Sequence, residues 1–101
     1  MDDKKNSEPS ANVQSVKILK WYPARRTGPI VAYATLRFFE VIDISGFSVV
    51  KNPNKRNELF ASAPQRLDVK ENKWFDTVRM QKELWAEAAY LLIERAHKER
   101  L

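Results

Sequence analysis

The hydrophobic and polar positions divide the chain into a polar lead, a series of strands and a closing helix. Residues 1–12 (MDDKKNSEPSAN) carry almost nothing apolar and cannot bury enough surface to offset the entropy of ordering, which predicts a disordered tail. The folded domain is expected over 13–101. Residues 15–22 alternate, with Val16, Ile18 and Lys20 on one side and Lys17, Leu19 and Trp21 on the other; Pro23 ends the run because it has no ladder donor. A turn, Ala24-Arg25-Arg26-Thr27-Gly28-Pro29, leads into the clearest strand, 30–39. There Ile30, Ala32, Ala34, Leu36 and Phe38 face one way and Val31, Tyr33, Thr35, Arg37 and Phe39 the other. A third strand runs from Val41 to Val50, and Gly46 inside it predicts a bulge or a close backbone approach. Residues 51–58 read as a turn-rich basic loop, 59–63 as a short strand closed by Pro64, and 65–72 as a polar loop. Lys73-Trp74-Phe75 begins a fifth short strand, and Asp76 or Thr77 is placed to cap a helix.

Residues 78–99 contain no Gly or Pro, and Met80, Leu84, Ala88, Leu91, Leu92 and Arg95/Ala96 follow the spacing of one buried stripe. Glu94 and Lys98 are spaced for an i,i+4 ion pair. The predicted order is β-β-β-β-β-α, an α+β fold with a small antiparallel meander sheet of about five strands and a C-terminal helix. One helix covers only one face of such a sheet, whereas the second strand is apolar on both. The uncovered face, or an edge strand, is therefore expected to meet a second copy of the chain, giving a homodimer.

Composition removes several classes of function. With 101 residues the chain is one domain, long enough for a core without staples. Absence of cysteine excludes a disulfide scaffold, a thiolate metal site and a Cys nucleophile. A single histidine, His97, leaves no His cluster, and its place in the last helical turn is explained by the helix dipole. Two glycines leave no glycine-rich phosphate loop. Glu40 and Asp43 are near enough in sequence to pair, but no second half of an acid–base site accompanies them. No apolar run approaches the ~20 residues of a membrane span, and the charged start has no apolar segment behind it. The expectation is a cytoplasmic protein that is not an enzyme and uses no metal or cofactor.

The net charge is +5, and beyond residue 10 there are 16 Lys and Arg against 10 Asp and Glu. Such a body suits a polyanion, although basic proteins are often merely soluble. In Lys51-Asn52-Pro53-Asn54-Lys55-Arg56-Asn57, three cations and three amides fit phosphate and sugar contact, and equally a solvated hairpin loop. Arg25 and Arg26 sit in another turn, where two exposed charges commonly report solvation. That turn and the 51–57 loop are expected at opposite ends of the second and third strands. Arg66, Lys70 and Lys73 flank Asp68 and Glu71, so the charge there is small. Most aromatics lie in apolar runs and read as core; Tyr22 and Trp74, beside loops, are the candidates for stacking on bases.

Order and spacing together resemble the stage V sporulation protein G (SpoVG, septation regulator) family over residues 13–97. Val16-Lys17-Ile18-Leu19-Lys20 is similar to its opening strand, Ile30 to Leu36 to its second, and Ile44-x-Gly46-Phe47-x-Val49 to its third. Leu59-Phe60-x-x-x-Pro64 matches its Leu-Phe-Val-x-x-Pro element, and Trp74-Phe75-Asp76 stands just before the helix, as an aromatic, a basic residue and an aspartate do there. The resemblance implies a small α+β homodimer that binds DNA, and in some members RNA, as a regulator of transcription, septation or sporulation. The family's Ser-Lys-Arg, which contributes to DNA binding, corresponds to Gln65, Arg66 and Leu67, so only Arg66 keeps a cation. Its Ala-His-Pro is replaced by Val78-Arg79-Met80. Lys51, Lys55 and Arg56, in a loop longer and more basic than is usual, are then expected to supply the charge that Leu67 lacks. The competing expectation is a protein-interaction module without nucleic-acid binding, using a sheet edge or the dimer face.

Overall fold

A computed structural model describes residues 15–25, 27–56 and 58–101. The expected tail over 1–12, and Arg26 and Asn57, lie outside the described residues. Strands β1 (Val16–Pro23), β2 (Ile30–Phe38), β3 (Ile42–Asn52) and β4 (Glu58–Ser62) form one antiparallel sheet in that order. Strands β5 (Gln65–Asp68) and β6 (Lys73–Asp76) form a separate hairpin, and helix α1 (Lys82–Lys98) follows. The fold is α+β, with six strands where the sequence pattern had indicated about five.

The apolar alternation of β2 makes the core. Ala32, Ala34, Leu36 and Phe38 are buried on the inner face, beside Phe47 and Val49 of β3 and Leu59 of β4. Helix α1 lies across that face and inserts Ala88, Leu92 and Ala96, where two alanines allow a close approach to the sheet. Phe47 is the hub: its ring lies 6.0 Å from Phe38 and stacks on Trp85 of α1 at 6.2 Å.

Three register shifts set which face each side chain takes. On β2 the shift falls at Val31, which packs toward the core while Ile30, opposite Val50, turns to the other face, correcting the alternation that set Ile30 with Ala32 and Val31 with Tyr33. On β1 the register shifts between Ile18 and Lys20, so Leu19 is the extra residue and Trp21 pairs with Ala34. Trp21 therefore joins Val16 and Ile18 on the inner face, correcting the simple alternation that placed it with Lys17. It is held by the helix end, where Arg95 lies 5.2 Å above its ring and its Nε1 donates to Glu99 Oε1 at 3.1 Å. On β3 the shift falls at Gly46, whose φ is +99°. A Cβ there would lie 3.3 Å from Pro64 Cβ, so the expected bulge and the expected close approach occur together.

Residues 65–72 are not a polar loop throughout, as the sequence had indicated. Gln65–Asp68 pairs with Lys73–Asp76, Leu67 opposite Trp74 and Arg66 opposite Phe75. Asp68 makes the turn, its Oδ1 accepting from the backbone of Lys70 and Glu71 at 3.0 and 3.3 Å, and Asn72 takes the left-handed conformation that reverses the chain. The helix also begins later than expected, at Lys82. Asp76 and Thr77 are unavailable as caps because the hairpin base uses them. Gln65 Nε2 donates to Asp76 Oδ1 at 2.9 Å, and the Thr77 backbone N–H and hydroxyl both donate to the Pro64 carbonyl. The i,i+4 ion pair of α1 is Arg95–Glu99 at 2.5 Å, while Glu94 accepts from the Tyr90 hydroxyl at 2.9 Å.

Candidate nucleic-acid interface

In an antiparallel meander successive turns alternate between the two ends of the sheet. The β1–β2 turn and the β3–β4 turn are the first and third, so they share an end. This corrects the expectation that they fall apart. Contact is direct, since the Lys51 backbone N–H donates to the Pro29 carbonyl at 2.7 Å. Arg25 stands exposed in the first turn, and Lys51 ends β3 half-buried. Lys55 and Arg56 are exposed in the third turn.

The third turn is ordered by its own sequence. Asn52 Oδ1 accepts from the Asn54 N–H at 3.0 Å, Pro53 opens a short 3₁₀ turn over Pro53–Lys55, and Arg56 closes it with φ +56°. The Asn- and Pro-rich composition thus serves the turn itself. Among the described residues of 24–30 and 50–58, the charged groups are Arg25, Lys51, Lys55, Arg56 and Glu58, a surplus of cations.

The opposite end is balanced. Lys17 Nζ lies 3.0 Å from Glu40, and Arg37 holds Asp43 through both carboxylate oxygens, at 2.6 and 2.9 Å. The Arg37 hydrogen bond pulls the Asp43 carboxyl below its ordinary range, and the same bond raises the Arg37 guanidinium. Glu40 and Asp43 therefore each face a cation rather than one another. Among the described residues no cluster of three or more His, Asp or Glu is placed to hold a metal ion.

Arg66 does not join the basic end. It is exposed on β5, a strand rather than the loop expected, and β4 leads away from the third turn for five residues before β5 begins. The hairpin that carries it displays apolar groups: Trp74 is 62% exposed and Val69 84%, with Leu67 and Phe75 also exposed. Tyr22 and Trp74, the expected candidates for stacking, are both exposed, and so is Tyr33, which the apolar run around it had assigned to the core. Its register opposite Tyr22 puts both rings on the face away from α1. The alternation of 30–38 already held that signal, since Tyr33 falls on the side opposite Ala32 and Ala34.

No described helix is long and apolar enough to cross a membrane. Compared with protein-family models, curated proteins and solved structures, the chain matches none.

Proposed function

We propose that this chain is a nucleic-acid-binding regulatory protein, acting in the cytoplasm as a homodimer and docking on phosphates through its basic loops. Such a role is what the resemblance to the SpoVG family implies, with DNA as the first target and RNA as the second. The observation that supports the reading best is the convergence of Arg25, Lys51, Lys55 and Arg56 on one end of the sheet, with Glu58 the one carboxylate among the described residues of 24–30 and 50–58. Cations gathered in this way replace counterions on a phosphate backbone, and release of those ions drives binding. Arg66, on the hairpin, adds a phosphate contact remote from that end.

The homodimer has its support in the hairpin. An isolated two-stranded hairpin is marginal in water, and this one leaves Leu67, Val69, Trp74 and Phe75 exposed. A second copy packed on it buries that surface. The same apolar surface favours the competing reading, a protein-interaction module. Salt separates the two. Mobility-shift titrations with duplex DNA, single-stranded DNA and RNA are expected to weaken steeply as salt rises, with a log–log slope of roughly −3 to −4 per protomer for four phosphate contacts on duplex. An affinity indifferent to salt, or no shift with any of the three, overturns the proposal.

A further inference from the structure

The basic end adjoins an aromatic cleft. Tyr22 and Tyr33 are cross-strand partners on the sheet face away from α1, 51% and 44% exposed. With Pro23, Arg25, Pro29 and Ile30, and with Trp21 from the opposite face, they line an open cleft of about 740 Å³ beneath the β1–β2 turn, at the edge of the sheet. Next to it on the same face, Ile30, Val50 and Phe60 stand in register across β2, β3 and β4. Phe60 is 45% exposed. The apolar platform thus runs from the cleft toward the β3–β4 turn, and Arg25 at one side and Lys55 and Arg56 at the other bring positive charge to its rim.

From this juxtaposition we infer that the cleft is a stacking site for the unpaired bases of a single-stranded nucleic acid, whose phosphates follow the basic rim. The inference rests on the nucleic-acid reading above and names the form of ligand that this site takes. A tyrosine ring stacks on the face of a base, and a duplex keeps those faces covered by its neighbours. Two exposed rings held side by side by strand register are rigid, so little side-chain entropy is lost when bases settle on them. A groove lined by aromatics and prolines also suits an extended proline-rich peptide. The cationic rim favours the polyanion.

Fluorescence anisotropy on the full chain tests this with four probes. They are a labelled oligothymidylate of about twelve nucleotides, an abasic strand of equal length, a duplex of equal length, and a proline-rich peptide. Wild-type protein is expected to bind the oligothymidylate more tightly than the abasic strand or the duplex. Tyr22→Leu and Tyr33→Leu, which keep bulk and remove the aromatic face, are each expected to weaken oligothymidylate binding about 5- to 150-fold. Tyr22→Phe is expected to retain it. The abasic comparison needs no variant and so stands even where a substitution unsettles the sheet. Equal affinity for the abasic strand, or unchanged binding by both folded leucine variants, overturns the stacking site. If Lys55→Glu with Arg56→Glu still weakens strand and duplex alike in that case, the phosphate-docking function survives and only the cleft assignment falls. If charge reversal also changes nothing, both fall. Binding of the peptide in place of the oligothymidylate overturns the choice of occupant.

Discussion

At the Phe39–Val41 end of the sheet, Lys17 and Arg37 each meet a carboxylate from a neighbouring turn or strand. At the other end, the two turns carry Arg25, Lys51, Lys55 and Arg56 against the single carboxylate of Glu58 among their described residues. Strands of one sheet connect the two, and the nine residues of β2 hold them ~30 Å apart, well beyond the ~8–10 Å over which salt screens exposed charges. Net charge therefore says little about this molecule until it is resolved by position. The balanced end has arranged its charges for itself, through cross-strand pairs of modest worth. The basic end has a field to offer a partner.

The largest effect expected is one that erases the comparison. Phe47→Ala empties the hub between sheet and helix and should cost about 3–5 kcal/mol of stability, read by denaturant unfolding. Both ends stand on that core, so they should be lost together in one transition; loss of one end alone would mean that they fold independently. Next in size is the contrast itself. Lys55→Glu with Arg56→Glu should lower duplex affinity on the order of a hundredfold, at ~1.4 kcal/mol or more for each charge-assisted contact removed. Arg37→Glu, a charge change at the balanced end, should change affinity by less than about threefold, given the screening over that distance. Comparable losses from the two substitutions would erase the distinction between the ends.

A smaller effect concerns the balanced end alone. Its turn carries φ +56° at Phe39 and +61° at Glu40, and the Val41 N–H donates back to the Phe38 carbonyl at 3.0 Å. That is the geometry in which Asn-Gly is favoured, and neither residue present suits it. Phe39→Asn with Glu40→Gly should stabilise the fold by roughly 1 kcal/mol, less the contribution of the Lys17–Glu40 pair, with nucleic-acid affinity unchanged. A fall in melting temperature would show that Phe39 packs against something that matters. The smallest effect is on pH dependence. Because Arg37 holds the Asp43 carboxyl below its unfolded value, the pair stabilises above about pH 4, and that contribution disappears as pH falls through the lower, folded value. Asp43→Asn should flatten the acid limb of a melting-temperature profile slightly and leave the neutral region almost unmoved, while the basic end keeps its affinity.

Much of the fold is legible in the sequence because burial writes a period into it. The inner face of β2 from Ala32 to Phe38 and the Ala88-Leu92-Ala96 stripe follow directly from spacings of two and of four. What escapes is where one residue breaks the period. Leu19 is an ordinary strand residue, and nothing local marks it as the bulge that turns Trp21 inward. The hairpin is half legible: its second strand follows from Lys73-Trp74-Phe75, whereas Gln65–Asp68 is four residues long and exposed and lacks the alternation that burial imposes. Only the turn residues Asp68 and Asn72 announce it. The shared end of the two basic turns follows from counting turns along a meander, a matter of topology that composition does not contain. Exposure of Tyr33 lies between these cases, since alternation gives its face but not whether another element covers it.

The order of elements along the chain has a consequence for synthesis. Helix α1 is made after every strand, yet it alone among the described elements covers Val16, Leu36, Phe47 and Val49. A nascent chain therefore carries a paired sheet with a bare apolar face until the helix clears the ribosome, at ~5–20 residues per second a delay of a second or more. During that interval the sheet is a natural client for a chaperone that holds apolar surface. A polypeptide truncated before residue 82 keeps that apolar face bare, the kind of surface that makes a chain prone to aggregate.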